Sequence, residues 1–285
     1  MQFFTNYKKN KSMVDLDFLK TIFEYNKKIK NFSIKERSEF FVKKLFNILF
    51  IPNYKNRKSF INYYKKLRII LYKILIELNF SQKNSNIISK NFFKKIPNIY
   101  NLLIIDAKSI LESDPAANSI DEIFLTYPGF FSIALYRIAN QLWDQGVSII
   151  PRIITEYAHS KTGIDIHFSA IIGSAFAIDH GTGIVIGSST KIGNQVRIYQ
   201  GVTLGAINVD KKFYNKKRHP TIEDRVIIYS GATILGGKTV IGHDSVLGGN
   251  VWITKSIPPF SIVYQKSEIK MRNKNNINNP INFMI

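Results

Sequence analysis

The chain has 285 residues, 45% of them hydrophobic, which is enough for a sizeable core and one or two domains. It has no cysteine, so disulfides, thiolate metal sites and a cysteine nucleophile are excluded. Its net charge is +20, from 40 Lys and Arg against 20 Asp and Glu, and no apolar run reaches the ~18–20 residues of a membrane span.

Residues 1–100 carry most of the charge, with 22 basic against 6 acidic side chains. This stretch is also rich in Asn, Ile, Phe and Tyr and has no nucleic-acid-binding motif. A solvated, compositionally drifted surface is expected, with no nucleic acid and no membrane as partner. The N-terminus lacks the apolar core of a signal peptide, so a cytoplasmic protein is expected.

Residues 1–160 read as an α-helical domain. Val14, Leu16, Phe18, Leu19, Ile22 and Phe23 share one helical face, as do Phe40, Phe41, Leu45 and Leu49. Phe60 to Leu78 forms a further helix. Ser119-Ile-Asp-Glu122 has the spacing of a capping box. Pro128 opens a helix with Phe131, Leu135, Ile138 and Leu142 on one side, and Gly146 ends it. Pro151 opens a last helix that stops near Gly163.

Residues 161–260 repeat every six residues. Aliphatics recur at Ile166, Ile172, Ile178 and Ile184, then at Ile186, Ile192, Ile198 and Leu204. They resume at Ile222, Ile228, Leu235, Ile241, Leu247 and Ile253. Period six fits neither a helix nor simple strand alternation. It fits short strands that wrap in coils, each burying one aliphatic and turning a tight corner, and such coils must stack to bury that face. The fold class is therefore α+β: a helical domain followed by a parallel β-helix, ending near Pro258-Pro259. Residues 261–285 read as a flexible tail.

Three polar clusters interrupt the repeat: Asp165-Ile-His167, Asp179-His180-Gly181-Thr-Gly183 where the register slips by two, and Arg218-His219-Pro220. A Lys-rich loop without the repeat precedes the last of these, and a loop of that length is more often functional than not. Its Lys211, Lys212, Lys216 and Lys217 read either as attractors of phosphate or as a solvated loop.

These strings carry a resemblance. Thr162-Gly-Ile-Asp-Ile-His167, Ile178-Asp-His-Gly-Thr-Gly183, Gln200-Gly-Val-Thr-Leu-Gly205 and Arg218-His-Pro220 are similar to those of the serine O-acetyltransferases. Upstream, Asp114-Pro-Ala116, Tyr127-Pro-Gly-Phe130 and Ala134-Leu-Tyr-Arg-Ile-Ala139 resemble the same family, whose β-helix is left-handed. The likeness runs from about Asp114 to Pro259.

The resemblance implies transfer of the acetyl group of acetyl-CoA to the hydroxyl of L-serine, giving O-acetyl-L-serine and CoA, the first step of cysteine biosynthesis. It assigns His180 as general base, with Asp165 as its carboxylate partner. An imidazole with an ordinary pKa of ~6.5 suits that task. Asp165 precedes His180 by 15 residues, and three hexapeptides make one coil, so adjacent coils could bring them close. Asp114, Asp179, Arg218 and His219 fall on the serine-binding positions, where an arginine fork matches a carboxylate. Asp114-Pro-Ala116 also reads simply as a helix N-cap followed by Pro at N1. Gly205, Ala206, Ser230, Gly231 and Gly249 fall on acetyl-CoA positions, and no metal is expected. The resemblance also implies a homo-oligomer, a trimer or a dimer of trimers, and a cysteine-sensitive serine site. A chain ending in Ile285 further suggests O-acetylserine sulfhydrylase as a partner of the tail. Rival readings are a sugar or antibiotic acetyltransferase, a zinc enzyme enlisting His167, His180 and His219, and a non-catalytic subunit acting through its tail.

Overall fold

The computed structural model describes residues 15–28, 32–51, 55–207 and 216–266. The chain divides into two compact units, Met1–Ser169 and Ala170–Ile285.

The described part of the first unit contains seven helices: α1 (Leu16–Lys28), α2 (Phe32–Phe50), α3 (Arg57–Glu77), α4 (Gln82–Ser113), α5 (Ile120–Thr126), α6 (Pro128–Trp143) and α7 (Ile149–Thr162). The α1 segment is helical as its periodicity predicts. Its apolar face stays exposed at Leu16, Phe18, Leu19, Ile22 and Phe23, so periodicity gave the helix and not its burial. The longest helix, α4, lies within the expected helical region and contains Pro97. Proline removes one backbone N–H and normally kinks or ends a helix. Here the buried stripe Phe92, Phe93, Ile96, Ile99, Leu103, Ala107 and Ile110 carries the helix past it. Phe46, Phe50, Phe124 and Phe130 pack edge-on or tilted at the heart of this unit, with centroids 5.0–6.2 Å apart.

Caps set two of the helix boundaries. Ser119 Oγ accepts the Glu122 N–H at 3.2 Å, and Glu122 returns to the Asn118 N–H at 2.8 Å. Ser119→Ala removes an N-cap, and stability should fall by about 1 kcal/mol in urea unfolding. At the end of α7, Gly163 takes φ 70°, which lets the chain leave the helix directly into β1 (Asp165–Ile166).

The second unit is built from thirteen two- or three-residue strands among its described residues, β2 (Ile171–Ile172) to β14 (Ile262–Val263). They stack into three parallel faces. Face one contains β4, β7, β10 and β13; face two β2, β5, β8 and β11; face three β3, β6, β9, β12 and β14. This is the expected left-handed β-helix. Inward aliphatics stack in register, as in Ile172 on Ile192 on Ile222 and Ile178 on Ile198 on Ile228. One expected position is corrected. Ile234, not Leu235, is the fully buried residue, paired with Leu204 and Ile253. An extra residue enters the repeat after Ile234, so counting back from Ile241 lands one position late. The last strand, β14, lies beyond Pro258-Pro259.

Candidate active site

The slip in the repeat is a two-residue insertion, and that insertion is His180-Gly181. The Asp179 N–H bonds Ile198 O just as the Tyr199 N–H bonds Ile228 O on the next coil. The Gly201 N–H bonds Thr182 O just as the Gly231 N–H bonds Gln200 O. Asp179 is thus equivalent to Tyr199, and Thr182 to Gln200, with His180 and Gly181 left over between them. The extra pair is accommodated by left-handed backbone, φ 55° at His180 and 96° at Gly181. Glycine adopts that region freely and histidine only occasionally. Having no place in the coil, the His180 side chain stands 73% exposed. Its Nε2 is 3.8 Å from Asp179 Oδ1, too far for a hydrogen bond.

Ser230, Gly231 and Gly249 lie on the same vertex as His180, on successive coils between faces three and one. Asn250 packs so closely over Gly231 that a side chain there would overlap it. Tyr199 and Tyr229 stack on this vertex with centroids 4.9 Å apart.

Gly205, Arg218 and His219 lie at a different vertex, where face one turns into face two, and Ala206 follows the last residue of β7. The His219 ring is 7% exposed and packs on Gly187, where any Cβ would collide with it. His219 Nδ1 receives the Ser189 N–H at 3.1 Å and lies 2.9 Å from Ser189 Oγ. The same Oγ accepts the N–H groups of Arg218 at 2.9 Å and His219 at 3.1 Å. Arg218 is half-buried, and its Nε–H is buried with no acceptor among the described residues. Lys217 donates to the carbonyls of Ser189, His219 and Pro220 at 3.2, 2.6 and 3.3 Å. The residue is exposed, yet its ammonium is engaged in holding this corner. Burial, and Lys191 second, lower its pKa. Lys211, Lys212 and Ile285 lie outside the described residues, as does the tail from residue 267.

Asp114 and Asp165 belong to the helical unit. Asp114 follows α4 as its C-cap and begins no helix. Its Oδ1 accepts the Ala116 N–H at 2.9 Å and its Oδ2 the Tyr127 hydroxyl at 2.6 Å, which makes Asp114-Pro-Ala116 a side-chain-closed turn. The N-cap reading of that string is therefore corrected. Asp165 is half-buried on β1. Burial is the main cause that raises its pKa; Glu156 adds to the rise, while His159 and Arg152 oppose it. Periodicity gave no hint of these neighbours. Glu156, His159 and Asp165 bring ligand atoms within 4.8 Å of one another, and among the described residues they are the one group of three able to hold a cation. The zinc reading through His167, His180 and His219 finds no such grouping. His167 Nδ1 lies 2.8 Å from Ser169 Oγ, a local turn contact.

An open depression of about 500 Å³ lies at the third vertex, lined by Lys191, Glu223, Asp224, Arg225 and His243 among others. Two of its charged side chains are already engaged. Arg225 grips Asp244 at 2.7 and 2.6 Å, and with His243 holds that carboxyl well below the usual range. None of the expected site residues lines it.

Comparison with known proteins agrees with this architecture. No family model matches the chain. It is 46% identical over 183 residues to a plasmid-encoded serine acetyltransferase of Synechococcus elongatus, covering 62% of this chain and 57% of that protein. The match therefore spans little more than half of that relative's length. Among solved structures, serine acetyltransferase isoform 3 of Entamoeba histolytica in complex with cysteine superposes with TM-score 0.73 at 35% identity, over 83% of this chain and 84% of that one. The chain belongs to the serine acetyltransferase family. The Neisseria gonorrhoeae serine acetyltransferase in complex with serine is more distant, with TM-score 0.57 at 30% identity over 64% and 73% of the two chains. The hexapeptide-repeat architecture and the enzyme class expected from the four motif strings are those of this family. Among the described residues no helix is long and apolar enough to cross a membrane.

Proposed function

We propose that this chain acetylates L-serine from acetyl-CoA, with His180 as the general base. The single observation that carries the reading is the buried Nε–H of Arg218, which has no acceptor among the described residues. A buried donor left unpaired costs about 1–3 kcal/mol, which a carboxylate oxygen would recover. Serine offers that carboxylate, whereas a neutral sugar does not. Asp114 and Asp179 supply negative charge for the ammonium.

In the reaction, His180 takes the hydroxyl proton as the serine oxygen attacks the thioester carbonyl. The tetrahedral intermediate then expels CoA thiolate, and the imidazolium returns the proton to it. Asp165 stabilises the imidazolium. Its raised pKa means that this help is lost at a higher pH than for an ordinary aspartate. The small residues Gly205, Ala206, Ser230, Gly231 and Gly249 leave room for the pantetheine arm of acetyl-CoA, and no metal is called for.

The site is completed by oligomerisation. His180 and Arg218 sit on two vertices of one β-helix, separated by the width of face one. Five extended residues span roughly 15 Å, too far for one serine to bridge within the β-helix. Packing the His180 vertex of one chain against the Arg218 vertex of a neighbour closes the gap, and a trimer does so three times.

The test is CoA thiol release by purified protein offered L-serine, homoserine or a sugar panel. Release with serine supports the reading, and release with a sugar alone overturns it. Arg218→Lys keeps the charge and loses the fork. It should raise KM for serine about 10–100-fold, the worth of a charge-assisted hydrogen bond, with a smaller change in KM for acetyl-CoA.

A further inference from the structure

The hydrogen bonds around His219 define which ring nitrogen carries the proton. Ser189 Oγ already accepts two backbone N–H groups, from Arg218 and His219. Its remaining contact, 2.9 Å from His219 Nδ1, must therefore use its own O–H as donor. The Ser189 N–H reaches the same Nδ1 at 3.1 Å. Two donors converge on Nδ1, so Nδ1 is an acceptor and the proton of the neutral ring resides on Nε2. The backbone N–H of Ser189 cannot turn away, so adding a proton at Nδ1 would set two donors face to face. Gly187 closes the other side, because any Cβ there would overlap the ring. Unlike the contact of His167 with Ser169, two residues along the chain, this one joins residues 30 apart across a corner of the β-helix.

We propose that Ser189 is a positioning residue that locks His219 as its Nε2–H tautomer, making His219 a fixed hydrogen-bond donor to the reacting oxygen and unable to serve as a base. This rests on the serine acetyl-transfer reading and deepens it. A ring with its proton on Nε2 and two donors on Nδ1 has no lone pair to offer the serine hydroxyl. It can donate to the hydroxyl oxygen or to the oxyanion that follows, and proton removal is left to His180. Fixed donors aimed at developing charge are worth more than mobile ones, because they need no reorganisation during reaction.

The test pairs kinetics with nitrogen NMR on the full-length oligomer labelled with 15N-histidine. The His219 signals are assigned by their loss in His219→Gln. The wild type should show His219 protonated at Nε2 and bare at Nδ1 across neutral pH. Ser189→Ala should lose that single tautomer and drop kcat at least ~10-fold, with KM for acetyl-CoA within about twofold. Ser189→Thr keeps the hydroxyl and should restore both the tautomer and kcat. It also serves as the test should Ser189→Ala fail to fold, since a Thr variant with a mixed tautomer and full kcat overturns the proposal. Full kcat in a folded Ser189→Ala overturns it too, as does a wild-type His219 protonated at Nδ1. The tautomer is read without substrate, so the two readings fail separately. An inactive wild type with the Nε2–H tautomer overturns the reaction and not the lock. An active one with Nδ1–H overturns the lock and not the reaction.

Discussion

Replacing His180 with alanine should lower serine-dependent CoA release by ~10²–10⁴-fold, the usual worth of a positioned general base. The protein should remain folded. The ring is 73% exposed and packs in no core, so its removal leaves no cavity. The left-handed backbone at φ 55° tolerates alanine at modest cost, since Ala175, at the vertex between faces two and three, already adopts φ 54°. The measurement is kcat for thiol release beside the thermal midpoint of the same preparation. A fall in rate with an unchanged midpoint assigns the base. An unchanged rate removes His180 from the chemistry and reopens the non-catalytic reading of the chain. A rate loss matched by a loss of oligomer would instead give His180 a role in assembly, and size-exclusion chromatography separates the two outcomes.

Much of this architecture was legible in the sequence because its repeat is strict. One aliphatic every six residues leaves no alternative register, so the inward stacks follow from Ile172 to Ile253 with a single slip at Leu235. The slip of two at His180 was equally visible. What it means in space, a bulge that pushes the imidazole out of the coil, needed the hydrogen bonds of Asp179 and Thr182. Other features were not legible. The bounds of helix α4 were not read within the helical region, and the cost of its Pro97 is outweighed by a long buried stripe that only tertiary packing reveals. The exposed face of α1 had the periodicity of a core helix, because periodicity records amphipathicity and not what covers the apolar side. Glu156 and His159 gave no signal as neighbours of Asp165, since their contact depends on the turn at Gly163. Ser189 was not singled out in the sequence, and its hydroxyl lies between two backbone N–H groups and an imidazole. Polar contacts made across coils leave no periodic trace in the chain.

The largest expected effect on stability lies away from the chemistry. Asp106 on α4 and Arg137 on α6 form a buried pair, with Nε to Oδ2 at 2.6 Å and Nη2 to Oδ1 at 2.9 Å. Their side chains are 0% and 5% exposed. Neither charge reaches water, so each depends on the other to offset its desolvation. Asp106→Ala should therefore cost about 3–5 kcal/mol, because it removes the carboxylate that offsets the buried guanidinium charge. Asp106→Asn retains a hydrogen-bonding oxygen and should cost less. The double variant Asp106→Leu with Arg137→Met removes both charges and should recover most of the loss, since replacing a whole buried pair by apolar groups is often near neutral. Urea unfolding of the four proteins gives the coupling directly. If Asp106→Ala and the double variant are equally destabilised, the stranded charge is not the cause, and packing around α4 and α6 carries the loss. Arg137 belongs to the Ala134-Leu-Tyr-Arg-Ile-Ala139 string that marked the family resemblance. In this chain the string supplies one half of a buried charge pair that joins α6 to α4. The same α4 ends at Asp114, whose carboxylate is proposed to meet the serine ammonium. Disturbing the pair should thus also raise KM for serine in any variant that still folds.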